Sequence, residues 1–113
     1  MLQDAEYLDE NEKKAFIEIR RRVTRLFAVR QFILFGSKAR GDALPGSDID
    51  LLIVTAEKLT HHESHMITHE IFEVNLAFGT TFSFVEVDEE TWNCELWKYV
   101  PLHANVTAEG IPL

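Results

Sequence analysis

The chain holds a single cysteine, Cys94, among its 113 residues. One thiol cannot close an internal disulfide, which suits a reducing compartment. Cys94 stands between Asn93 and Glu95 without catalytic context, so it reads as a packing residue rather than a nucleophile. Long apolar runs are also missing. No stretch approaches the ~18 apolar residues that a bilayer-crossing helix needs. The opening Met1-Leu2-Gln3-Asp4-Ala5-Glu6 lacks the basic flank and apolar run of a secretion signal. A soluble, cytoplasmic protein without a membrane partner is expected. Positive charge is scarce as well: 11 Lys and Arg stand against 19 Asp and Glu, a net charge of -8. Backbone phosphates dominate nonspecific nucleic-acid binding and would repel such a surface, so nucleic acid is not an expected partner. A site that binds cations fits the acidic balance. The local exception is the run Arg20, Arg21, Arg22 and Arg25, which reads as a solvated helix face or, more sharply, as a docking patch for an acidic partner.

What is present is ordinary globular chemistry. Hydrophobic residues make 46% of the chain and charged residues 27%, which excludes a disordered tail. The length suits one domain over residues 1–113. A core of that size is modest, so a partner, or a second copy in a homo-oligomer, would add buried surface.

Residues 1–11 are polar and start loosely. From Glu12 to Val29, Phe16, Ile19, Val23 and Leu26 recur at helical spacing. Gln31 to Phe35 reads as a short strand stopped by Gly36, Ser37 to Gly41 as the start of a short helix, and Asp42 to Ser47, with Pro45-Gly46, as a turn. Asp48 to Val54 is the clearest strand, and its continuous apolar tail suggests a central strand covered on both faces. Lys58 to Phe78 predicts a helix with Met66, Ile67, Ile71, Val74 and Phe78 toward the core, ended by Gly79. Thr81 to Val87 predicts another strand. A last helical stretch from Glu89 carries Trp92, Leu96, Trp97 and Val100, is interrupted at Pro101, and resumes as a short turn toward Gly110. The fold class is therefore α/β, in the α+β sense: a small mixed sheet flanked by helices.

Chemistry concentrates between Gly36 and Asp50. Gly36 follows a strand and opens a helix; without a side chain it lets a phosphate approach the backbone. Ser37 adds a hydroxyl donor, and Lys38 and Arg40 can supply positive charge to phosphate oxygens. Asp48 and Asp50, at i and i+2 on a strand, share a face. Two adjacent carboxylates repel unless a cation sits between them, and a hard divalent ion such as Mg2+ answers that need. Asp-x-Asp alone is common, since Ser47-Asp48 is also turn chemistry and Asp50 could be an edge charge. The full spacing is more telling.

Gly36-Ser37, ten residues, then Asp48-x-Asp50 resembles the signature of the minimal nucleotidyltransferases, small relatives of DNA polymerase beta and the aminoglycoside nucleotidyltransferases. Ala39-Arg40-Gly41, Ser47 to Leu52, and the ending from Pro101 through Glu109-Gly110-Ile111 also look like that family. The resemblance implies the polymerase beta-like fold, with Gly36 and Ser37 binding the triphosphate of ATP or another nucleoside triphosphate. It makes Asp48 and Asp50 the catalytic carboxylates that bind magnesium. Many members pair with a helical HEPN protein, and in several pairs the nucleotidyltransferase is an antitoxin that transfers AMP to a tyrosine of the HEPN toxin. The same is expected here. The alternative is a catalytically weak or inactive nucleotide- or partner-binding subunit of a two-component complex.

The superfamily usually carries a third acid near the start of the next core strand. Here the matching position is Ser83, which cannot serve as a general base near neutral pH. Glu86 is the nearest substitute, but on a regular strand it faces the other way, and Asp88 shares its parity. His61, His65 and His69 are spaced four apart, with His62 beside them; they read as a solvent-facing helix surface, with a zinc site as the sharper alternative. His62-Glu63-Ser64-His65 is one residue too short for the zinc-protease motif. The phenylalanines 32, 35, 72, 78, 82 and 84 read mostly as core, one of them available to stack on a base.

Overall fold

The computed structural model describes residues 7–44 and 46–113, so the expectations for residues 1–6 and for Pro45 lie outside it. Helix α1 (Glu10–Leu26) starts earlier than the apolar spacing suggests. The reason is a capping box: the Glu12 amide donates to the Asp9 carboxylate at 2.7 Å, and the Asp9 amide donates to Glu12 at 2.9 Å. The helix stops at Leu26, because Val29 already opens strand β1 (Val29–Phe35). Helix α2 (Ser37–Arg40), strand β2 (Ile49–Thr55), helix α3 (His61–Phe78) and strand β3 (Phe82–Asp88) follow. Thr60 and Glu63 form the capping box that opens α3, and Gly79, at φ 67°, closes it as the sequence suggests.

The sheet has four strands in the order β3-β2-β1-β4. β1 and β2 pair antiparallel, while β2 and β3 pair parallel. A parallel pair needs a crossover, and α3 provides it. β2 is central and buried along nearly its whole length, as its apolar tail predicts. Ile49, Leu51 and Ile53 point to one face, where Phe16, Ile19 and Val23 of α1 and Ile67, Ile71 and Val74 of α3 cover them. Leu52 and Val54 point to the other, under Val106, Trp92 and Trp97.

Part of the arginine run is structural. Arg22 reaches Glu18 at 2.9 Å on its own helix and Glu73 at 3.2 Å on α3, joining the two helices above the core. Leu26 and Phe72, expected inside, lie 39% and 59% exposed on the outer sides of α1 and α3. Met66 and Phe78 are only half-buried.

The C-terminal third departs most from the sequence reading. Helix α4 (Glu89–Trp92) is a single turn capped by Asp88. A 3-10 turn, Glu95–Tyr99, comes next, and Pro101 begins helix α5 (Pro101–Glu109) instead of interrupting one. Proline suits the first helical position, where its missing N–H would have no partner. Leu96, in the 3-10 turn, and Cys94 are exposed rather than packed. An unexpected strand, β4 (Ile111–Pro112), then pairs antiparallel with β1, and the Leu113 amide donates to the Phe32 carbonyl at 2.9 Å. Among the described residues no helix is long and apolar enough to cross a membrane.

Candidate active site

Register assembles the site. Phe35, the last residue of β1, pairs with Asp50, and Asp50 pairs with Ser83 on β3. Three neighbouring strands thus bring Gly36, Asp50 and Ser83 to one point on the face opposite α1 and α3. Gly36 adopts φ 80°, ψ -160°, a conformation that only glycine takes readily. The space there is closed to a side chain as well: a Cβ on Gly36 would run into the Asp50 carboxylate. Gly36 therefore lets the loop pass directly over Asp50.

Asp50 is half-buried, and one of its oxygens accepts the Ser83 hydroxyl at 2.8 Å. Ser83, matched in the sequence to the superfamily's third acid, thus lies next to Asp50 across the β2–β3 pair. Asp48 precedes β2 rather than opening it, with buried Ile49 between it and Asp50. Its side chain is exposed and makes no hydrogen bond or ion pair among the described residues. The Ser37 hydroxyl is likewise unengaged among them. Two carboxylates with uncommitted oxygens beside a backbone turn and a free hydroxyl suit a hard divalent cation that completes its shell with water and phosphate oxygens. No cluster of three or more His, Cys, Asp or Glu ligands is gathered among the described residues, so a closed protein cage is not the pattern here.

The two cations expected at the phosphates are already committed. Lys38 pairs with Glu12 at 3.1 Å, both side chains being largely covered. Arg40 pairs with Asp42 at 3.2 Å and with Glu109 at 3.1 Å; hydrogen bonding to Glu109, then to Asp42, holds its pKa above the usual arginine value. Lys38 and Arg40 thus stand at the site's edge as members of ion pairs. Glu109, which the sequence reading did not single out, also accepts the Gly36 amide at 3.1 Å. Its signals in the sequence were its place in the family-like ending Glu109-Gly110-Ile111 and an acid at a helix C-terminus, where the helix dipole disfavours it.

Glu86 does not reach the site. β3 pairs with β2 in unbroken register, so Glu86 faces α3, where it accepts the Ser64 hydroxyl. Asp88 is equally remote: the Thr91 hydroxyl, then the Thr91 amide, hold its carboxyl below the usual range as it caps α4. The histidines of α3 lie exposed on its outer surface. His61 and His65 meet ring edge to face, with centroids 5.6 Å apart, and His69 bonds Glu73 at 2.8 Å. A cavity of about 800 Å³ lies at the other end of β2 and β3, lined by Lys58, Asp88, Cys94 and Trp97. It shares no residue with the carboxylate site; a smaller groove of about 320 Å³, between α3 and β3 along Phe72, Phe82 and Phe84, meets that site only at Ser83.

Comparison with known proteins bears on this geometry. A family model described as a nucleotidyltransferase domain matches residues 16–103. A Methanocaldococcus jannaschii protein, named as a candidate protein adenylyltransferase, is 31% identical over 103 residues, covering 88% of this chain and 95% of its own. A solved structure named as a candidate minimal nucleotidyltransferase matches with TM-score 0.57 at 24% identity, over 88% of this chain and 89% of its own. A toxin–antitoxin complex with AMP-PNP matches with TM-score 0.59 at 18% identity, over 88% of this chain and 69% of the other. The two structures share the fold, a mixed sheet with flanking helices, and the family match extends from α1 into α5. The chain belongs to the nucleotidyltransferase domain family and is a transferase of that class.

Proposed function

We propose that this protein transfers a nucleoside monophosphate, AMP in the first instance, from a magnesium-bound nucleoside triphosphate to a hydroxyl on a partner protein of the HEPN type, acting as the antitoxin of a pair. The observation that carries the reading is the convergence of Gly36, Asp50 and Ser83 through strand register, with Asp48 and Ser37 beside them and unengaged. AMP and a protein acceptor are supported by the relative named for protein adenylylation and by the toxin–antitoxin neighbour with AMP-PNP.

Asp48 and Asp50 would hold the magnesium. When bound, the ion would neutralise charge on the phosphates and on departing pyrophosphate. The chain's own residues do the rest. Gly36 lets the loop pass close over Asp50 and so sets Ser37 beside it, the Ser37 hydroxyl donates to a phosphate oxygen, and Ser83 orients Asp50 by donating to it. The acceptor oxygen attacks the α-phosphorus and forms the new O–P bond. The bond from that phosphorus to the bridging oxygen breaks, pyrophosphate leaves, and the hydroxyl proton passes to solvent. Ser83 is no base at neutral pH, so the reaction runs without a factor of roughly 10² to 10⁴ that general base catalysis supplies. That same Ser83 favours the second reading, a binding subunit that neutralises its partner without turnover.

The test uses the complex purified from its native host and ATP labelled at either the α- or the γ-phosphate. The proposal expects α-label on the partner protein and none from γ-label. Label from the γ-position would mean phosphoryl transfer and refute the reading. No label from either, with the complex intact, would move the binding-subunit reading to first place.

A further inference from the structure

We infer that Glu109 is a positioning residue, a clamp from the end of α5 that fixes the Gly36–Arg40 segment in its nucleotide-ready shape. The inference rests on the nucleotide-binding role proposed above for that segment.

One carboxylate engages both ends of α2. Its Oε1 accepts the Gly36 amide at 3.1 Å, and its two oxygens accept the Arg40 guanidinium at 3.2 and 3.1 Å. The clamped segment is poorly able to hold itself. α2 has only four residues, too few to offset the cost of nucleating a helix, and its N-cap glycine makes no side-chain cap bond. Glycine at φ 80° is also the residue with the most conformational freedom to lose. The clamp itself is anchored. Glu109 is followed by Gly110, where a Cβ would collide with the Val106 carbonyl, and then by β4, which is zipped to β1 beside the same loop. Only 19% of the Glu109 side chain is exposed. An acid on the last residue of a helix opposes the helix dipole, and no basic residue of that turn offsets it. The charge-assisted bonds to Arg40 do. The Gly36 amide is therefore not a phosphate ligand in this arrangement. It is the handle by which the loop over Asp50 is held, leaving the Ser37 hydroxyl to face the ligand.

A competing possibility makes the opposite prediction. A carboxylate parked near the phosphate position as a placeholder would repel the triphosphate, and removing its charge would tighten binding. Glu109→Gln and Glu109→Ala separate the two. Glutamine keeps an oxygen for the Gly36 amide and loses the charge; alanine loses both. Amide hydrogen exchange without nucleotide reads the clamp directly. Glu109→Ala should speed exchange across residues 36–41 while Glu109→Gln stays near the parent. Calorimetric titration with magnesium ATP reads the consequence. Glu109→Ala should bind about tenfold to a hundredfold more weakly, the loss expected for a charge-assisted contact, with glutamine restoring most of it. Unchanged exchange in Glu109→Ala would overturn the clamp. So would tighter binding by both variants, which would make Glu109 a placeholder. If the parent itself fails to bind magnesium ATP, the nucleotide site falls, while the exchange result still decides whether Glu109 clamps the loop.

Discussion

Gly36→Ala should be among the most damaging single-methyl additions this chain can receive. Two separate effects add. At φ 80°, ψ -160° an alanine is strained by about 1–3 kcal/mol. Its Cβ also collides with the Asp50 carboxylate, which must rotate and give up the Ser83 hydroxyl, a charge-assisted bond worth about 1.5–3 kcal/mol. The sum is about 2.5–6 kcal/mol, and at roughly 4 °C per kcal/mol for a domain of this size the melting temperature should fall by about 10–25 °C. Gly41→Ala is the control. Gly41 also has positive φ, 81°, but nothing lies within 4 Å of its Cβ position, so only strain applies. Thermal unfolding followed by far-UV circular dichroism, in buffer without nucleotide, compares the two. The account requires Gly36→Ala to lose clearly more than Gly41→Ala. Equal losses would mean that Asp50 does not lie beneath Gly36, and the geometry of the site would be wrong.

Other predictions follow from the same structure. Ser83→Asp places a carboxylate beside Asp50 and should raise the transfer rate by an order of magnitude or more, read as α-label incorporated per minute into the partner; a rate that stays flat would show that position 83 is not where the missing base belongs. Leu52→Ala, at a fully buried position on the central strand, should cost about 2–5 kcal/mol in urea unfolding, and a loss under 1 kcal/mol would contradict the packing under α5. Glu18 is held down to about 2 by hydrogen bonds from Arg21 and then Arg22. A depressed folded-state pKa contributes stability that is present above the unfolded value near 4.5 and is lost as pH falls toward about 2. An NMR titration of the Glu18 carboxyl should therefore show a midpoint well below 4, moving upward in Arg21→Gln; an ordinary midpoint in the parent would refute the pairing.

The sheet and its two long helices were legible because their signals are local and periodic. Phe16, Ile19 and Val23 repeat at helical spacing, and Leu51 to Val54 form an apolar run. The candidate pair Asp48 and Asp50 stood out in chain order, because an Asp-x-Asp strand follows a glycine-ended strand at a set spacing. What the sequence hid depends on long-range partners. β4 is two residues long and exists only because β1 offers it an edge. Glu109 gains its role from Gly36, 73 residues earlier. Lys38 and Arg40 read as free cations until Glu12, Asp42 and Glu109 are placed beside them. Pro101 read as a breaker because a proline that stops one helix and a proline that starts the next look alike without the turn between them. The capping boxes Asp9–Glu12 and Thr60–Glu63 are the exceptions, local signals written in the sequence at the starts of the two long helices.

The central claim is that Asp48, Asp50 and the Gly36-Ser37 turn form a magnesium nucleotide site. Thermal unfolding with and without magnesium ATP, in the parent and in Asp48→Ala, tests it most directly. Asp48 is exposed and bonds nothing among the described residues, so its loss should leave the unliganded melting temperature unchanged. At about 100 times its dissociation constant the ligand adds roughly 2.7 kcal/mol, which for a domain of this size is a rise of about 10 °C. The account predicts that rise in the parent and its loss in Asp48→Ala. An equal rise in both, or none in the parent, would contradict it.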